Sequence, residues 1–159
     1  MVLLQATDMF ELAMQVERSG EAFYRAAAEK VGSHRVRDLF EDLALQEVKH
    51  YQFFRSQFES IRGRPLLTAE QWHEYQGYLG ATVHSAFFEG PDKALALAGS
   101  VHDHREAIRM AIDFEKETLL FFYDLHDIVP NSGKRAVREI VEEERSHIRR
   151  LAGMLQDNG

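Results

Sequence analysis

Apolar positions recur with the 3.6-residue period of amphipathic helices over four long stretches of the chain. The first runs from about Thr7 to Val31, with Gly32 as a stop signal, and the second from Ser33 to about Arg62, ahead of Gly63 and Pro65. The third starts near Asp103, where Asp103 and Glu106 match a capping box, and ends before Pro130; the fourth runs from about Ser132 to Gln156. Between the two pairs lies a connection over 63–102. There Thr68 and Gln71 match a second capping box, opening a short helix through Trp72, Tyr75 and Leu79, and Pro91 suits the first turn of another through Ala98. The pattern predicts an all-α four-helix bundle with a long, partly helical crossover between its second and third helices, as one domain over 1–159.

The inward faces carry polar residues where apolar ones belong. In the second stretch the face reads Val36, Leu39, Leu43, Glu47, His50, Phe54, and in the fourth Val137, Ile140, Glu144, His147, Leu151. The first gives Phe10, Ala13, Glu17, Gly20, Tyr24, Ala27, Val31, and the third Ile108, Ala111, Glu115, Thr118, Phe122, Leu125. One seam Glu, or one Glu-x-x-His, means little in an acidic helical chain. The set means more, because the chain repeats it. Ala13–Tyr24 lines up with Ala111–Phe122 and Gln46–His50 with Glu143–His147, and the Glu-to-Glu spacing is 30 residues in one half and 29 in the other. The two halves read as related hairpins.

If the four faces meet, four carboxylates and two imidazoles share one interior. Each ionised carboxylate would lose its hydration, at an effective cost of several kcal/mol, and no Lys or Arg stands on these faces to neutralise it. Protonation with raised pKa is one answer. Two divalent cations balance four carboxylates and two neutral imidazoles in charge, and oxygen and imidazole donors suit them. Glu17, Glu47, His50, Glu115, Glu144 and His147 are therefore the candidate metal ligands.

Composition narrows the picture. The chain has no cysteine, which excludes disulfides, thiolate zinc sites, iron–sulfur clusters and a four-thiolate rubredoxin iron centre within it. A net charge of −7 argues against a general nucleic-acid binder. The N-terminus lacks the layout of a signal peptide, and no 18-residue apolar segment suggests a membrane span, so a cytoplasmic location is expected. Phe53, Phe54, Phe58, Phe87, Phe88, Phe121 and Phe122 read as core and subunit contacts, His102 and His104 as solvated residues at a helix start, and Arg145, Arg149 and Arg150 as a solvated face.

The arrangement Glu / Glu-x-x-His / Glu / Glu-x-x-His is that of the ferritin-like di-iron carboxylate proteins. Glu17–Tyr24, Glu47–His50, Glu115–Thr118 and Glu144–His147 more closely resemble rubrerythrins lacking a rubredoxin domain, over roughly 5–60 and 103–155. The resemblance implies two iron ions, with Glu17 and Glu115 as terminal ligands, Glu47 and Glu144 as bridges, and His50 and His147 each capping one metal. Mn or Zn also suits these donors. Tyr24 is a candidate hydrogen-bond donor to a ligand, or else a plain core aromatic. The resemblance further implies reduction of peroxide or O2, an external electron donor such as a separate rubredoxin, and a homodimer, with or without exchange of helix pairs. Iron oxidation for storage or buffering is the alternative, and a structural bundle with a vestigial or non-iron site is a further one. Two departures weaken the peroxidase reading: Thr118 stands where peroxidase members carry an additional Glu, with Glu117 pointing off the seam, and the electron-donating domain is missing.

Overall fold

The structure, a computed structural model, describes residues 6–61, 67–82 and 89–157. Among these residues there are six helices and no strand: α1 (Ala6–Lys30), α2 (His34–Ile61), α3 (Ala69–Thr82), α4 (Pro91–Ser100), α5 (His104–Ile128) and α6 (Asn131–Asp157). The four long helices match the four periodic stretches, and α3 and α4 are the expected helical parts of the crossover. Gly63, Pro65, Phe87 and Phe88 lie outside the described residues, as does the side chain of Leu79.

Local chemistry sets the helix ends. Ser33 caps α2, its hydroxyl accepting from the Val36 amide at 3.4 Å. Thr68 and Gln71 form a reciprocal box at the start of α3, with bonds of 3.2 and 2.9 Å. Asp103 caps α5 by accepting from the Glu106 amide at 2.8 Å, but the Glu106 carboxylate reaches one residue further back and accepts from the amide of His102. α1 does stop before Gly32, yet without a left-handed glycine. Gly90 alone among the described residues has positive φ (120°), and it precedes Pro91 at the start of α4. A side chain would strain that backbone.

α1 packs along α2 and α5 along α6, as two antiparallel hairpins, while α4 lies against α1 through the buried Ala94 and Ala98. The hairpins face each other more sparsely, α1 toward α5 and α2 toward α6. Every seam residue named above is buried except Val31, which is half-buried. The apolar core is divided in two. One cluster gathers Phe23, Phe40, Leu43, Ile108, Phe114 and Leu151; the other gathers Phe10, Phe54, Phe121, Phe122, Val137 and Ile140. A polar layer falls between them. Phe54, Phe121 and Phe122 are core residues as expected, and Phe53 and Phe58 are half-buried against the same cluster. No helix among the described residues is long and apolar enough to cross a membrane.

Phe40 is fully buried, its ring centroid 5.5 Å from Tyr24 and 6.4 Å from Phe23. Phe40→Ala is expected to lower the unfolding free energy by about 3–5 kcal/mol in urea titration, whereas Asp103→Ala, which removes only a cap, costs about 1 kcal/mol.

Candidate metal centre

The polar layer is built one helix at a time. Glu17 lies in the middle of α1 and Glu115 in the middle of α5. Glu47 and His50 share one face of α2, and Glu144 and His147 the matching face of α6, because residues three apart on a helix point the same way. All four carboxylates are fully buried, and both imidazoles are 2% exposed. The two rings lie nearly parallel with centroids 5.7 Å apart.

The donors converge on two points. Glu17, Glu47, His50 and Glu144 form one group able to hold a metal ion, and Glu47, Glu115, Glu144 and His147 form a second, with ligand atoms in each group within 4.8 Å of one another. Glu47 and Glu144 belong to both groups; each of the other four belongs to one. Glu144 sits between the imidazoles, its Oε1 2.8 Å from Nδ1 of His50 and its Oε2 2.8 Å from Nδ1 of His147. Nδ1 of His147 also lies 3.3 Å from Oε1 of Glu115, and Nδ1 of His50 lies 3.5 Å from Oε2 of Glu17. Close as these atoms are, they are not aligned as hydrogen bonds. Both oxygens of Glu17, Glu47 and Glu144, Oε2 of Glu115 and both Nδ1 atoms have no hydrogen-bond partner. Buried polar atoms left this way are costly. Lone pairs aimed at shared points, with no donor between them, fit bound cations.

Other side chains hold this set in place. Nε2 of His50 meets Oε2 of Glu143 at 2.7 Å, so Nε2 carries the proton and donates it to the carboxylate, leaving the Nδ1 lone pair facing the centre. The Tyr24 hydroxyl donates to Oε1 of Glu115, a neighbour on α5, and not to Glu17 on its own helix. Gly20 leaves room for Glu47, since a Cβ there would run into Oε2 of Glu47 and come within 3.0 Å of the Phe114 ring. Thr118 is fully buried one turn after Glu115 with its hydroxyl unpartnered; Glu117 is half-buried and belongs to neither group. A groove of about 250 Å³ between α2 and α6 has His50 and Glu143 in its lining. A cleft of about 490 Å³ beside Arg18, Tyr51 and Gly90 includes none of the six residues.

Electrostatics describe the cluster when protons are its only cations. Burial raises the carboxyls of Glu17 and Glu47, and raises Glu115 to about 8; the charge of Glu144 adds to all three shifts. Burial also opposes ionisation of Glu144, but the flanking His50 and His147 more than offset it and hold this carboxyl below its usual range. Burial disfavours the imidazolium form of both histidines. The charges of Glu144 and Glu17 outweigh this for His50, and those of Glu144 and Glu115 raise His147 to about 10. Burial and Glu115 push the Tyr24 phenol well up, so it stays a donor.

Among the weaker candidates, His102 is exposed and His104 half-buried. Arg145 pairs with Glu142 at 2.9 Å and Arg150 with Asp42 at 2.6 Å, as expected of a solvated face, and Arg149 is exposed. Glu143 and Gly20 have no role that the helical pattern assigns. Glu143 faces outward from α6 and acts across to α2, which no single-helix pattern reveals. Gly20, at a seam position between Glu17 and Tyr24, was a visible signal.

Comparison with known proteins agrees with this geometry. A sequence model described as Rubrerythrin matches residues 8–155. The chain belongs to the rubrerythrin family. A solved structure from Thermotoga maritima, described as that of a ferritin-like diiron-carboxylate protein, is 26% identical, with a TM-score of 0.71 over 100% of this chain and 99% of its own. No curated protein matches. The rubrerythrin-family match spans both hairpins and the crossover, so both groups of metal-capable residues lie inside it.

Gly20→Ala keeps the helix, since alanine favours it by about 1 kcal/mol, but moves the Glu47 carboxylate. The expected result is unchanged helicity by circular dichroism and a fall from two bound metals per chain to one or none by elemental analysis. At pH 7 the metal-free Glu115 (about 8) and His147 (about 10) hold protons that a cation must displace. Apparent affinity should therefore rise as pH rises from 6 to 8, with protons released on binding. Chelator competition across that range measures it, and a flat profile would contradict it.

Proposed function

We propose that the chain is a di-metal carboxylate redox protein that uses two iron ions to reduce hydrogen peroxide or O2. The observation that carries this reading is the sharing of Glu47 and Glu144 between two adjacent groups of buried metal-capable residues. In this reading Glu47 and Glu144 would be shared by the two ions, Glu17 and His50 would complete one position, and Glu115 and His147 would complete the other. Two ferrous ions supply one electron each, which with two protons takes H2O2 to two waters.

The residues of the chain do the rest. The two imidazoles and four carboxylates fix a pair of positions with balanced charge. The fully buried Phe54, Phe114 and Phe122 wall the layer from bulk water. Tyr24 keeps a proton on its hydroxyl, directed at Oε1 of Glu115, and Glu143 holds the His50 ring by its Nε2 proton. Resetting the ferrous state calls for an external electron donor, and a separate rubredoxin-like protein is the class proposed. A cytoplasmic homodimer, built with or without exchange of hairpins, is the proposed working form.

One observation favours a second reading, iron oxidation for storage or buffering. The buried seam position 118 holds a hydroxyl and not a fifth carboxylate. Light scattering separates the two: a dimer supports the redox protein, and a large hollow particle supports storage.

Anaerobic protein loaded with Fe(II) should oxidise about two irons per peroxide in stopped-flow absorbance, and Glu47→Ala should lose loading at both positions. Loaded protein that leaves peroxide and O2 untouched would end the redox reading.

A further inference from the structure

The internal repeat sets up a comparison inside the molecule. If the two hairpins were chemically identical, the two metal positions would be identical too. Two departures from that symmetry change the hydrogen bonds made at the centre.

The first is the residue before each shared Glu. In the α6 half it is Glu143, whose carboxylate accepts the Nε2 proton of His50 at 2.7 Å. In the α2 half the corresponding residue is Gln46, and the ring it would serve is His147. A carboxylate behind an imidazole fixes the tautomer, orients the ring and makes the facing nitrogen a stronger donor to a metal. A neutral carboxamide cannot supply that charge. Among the described residues no hydrogen bond joins Gln46 to His147.

The second is the residue two turns after each unshared Glu. In α1 it is Tyr24, whose hydroxyl donates to Oε1 of Glu115 and draws charge away from that carboxylate. In α5 the corresponding residue is Phe122, which has no proton to give. Both oxygens of Glu17 accordingly lack a hydrogen-bond partner, while only one oxygen of Glu115 does. The two departures act in the same direction. The Glu17/His50 position keeps the full charge of its unshared carboxylate and has a reinforced imidazole; the Glu115/His147 position has neither.

We propose that the two metal positions are built unequal: the Glu17/His50 position takes the first divalent transition-metal ion, with Glu143 as its positioning residue, and the Glu115/His147 position takes the second. This rests on the reading that the six residues hold two metals. It adds an order of filling and assigns that order to Glu143 and Gln46, neither of them a ligand.

Anaerobic calorimetric titration of the full chain with Co(II), stripped of other metals beforehand, tests it. The expected result is two separate steps. Glu143→Gln alters an exposed side chain and should weaken the first step about tenfold or more, leaving the second within about twofold. Gln46→Glu should strengthen the second step and bring the two together, a gain that loss of structure cannot imitate. A crystal of the chain with one equivalent of Co(II) should show anomalous density between Glu17 and His50. Two equal steps in the unaltered chain, an effect of Glu143→Gln on the second step alone, no effect of Gln46→Glu, or first density beside His147 would each overturn the proposal. Absence of any Co(II) uptake would instead remove the metal-centre reading on which it stands.

Discussion

The structure depends on one electrostatic constraint. Four carboxyl groups with no exposure to solvent lie between two apolar clusters, and no lysine or arginine among the described residues pairs with them. Left ionised and unpaired, each would cost several kcal/mol of lost hydration, and their mutual repulsion would add to that. Something positive has to occupy the layer. With protons alone, the burden falls unevenly: Glu144 stays ionised between two charged imidazoles while Glu17, Glu47 and Glu115 hold their protons more tightly than usual. A pair of divalent ions would replace that arrangement and leave both imidazoles neutral. The donors are arranged for this, since Glu144 presents one oxygen to each histidine.

The packing follows from the same constraint. Close helix contact is concentrated within each hairpin, α1 with α2 and α5 with α6, and the hairpins meet across the polar layer. Each metal-capable group draws residues from both hairpins. Bound ions would therefore tie together the elements that side-chain packing joins least. Where space is short the chain uses its smallest residue: Gly20 gives Glu47 the room that any Cβ would take.

Most of the fold and the composition of the polar layer were legible in the sequence, for a physical reason. A buried helix face imposes its period on the residue types, so a Glu or His falling on that period stands out, as Glu47 and His50 do between Leu43 and Phe54. What stayed hidden was contact between helices. Tyr24 was placed on the correct face, yet its partner, Glu115, is 91 residues away on another helix. Glu143 lies off the inward period of α6, so nothing along that helix connects it with His50 on α2. Gly32 marked where α1 ends, but not the backbone geometry of that end, because a glycine permits the left-handed turn without requiring it.

The repeated hairpin has a consequence for how such a centre can arise and diverge. One hairpin of this kind carries two carboxylates and one imidazole, half of a ligand set, and becomes complete only on meeting a second. Were the two encoded by one gene and assembled as copies, every change in one half would appear in the other, and the halves would stay alike. Joined in tandem, they are free to drift apart one codon at a time. Tyr24 against Phe122 and Glu143 against Gln46 are what that freedom permits.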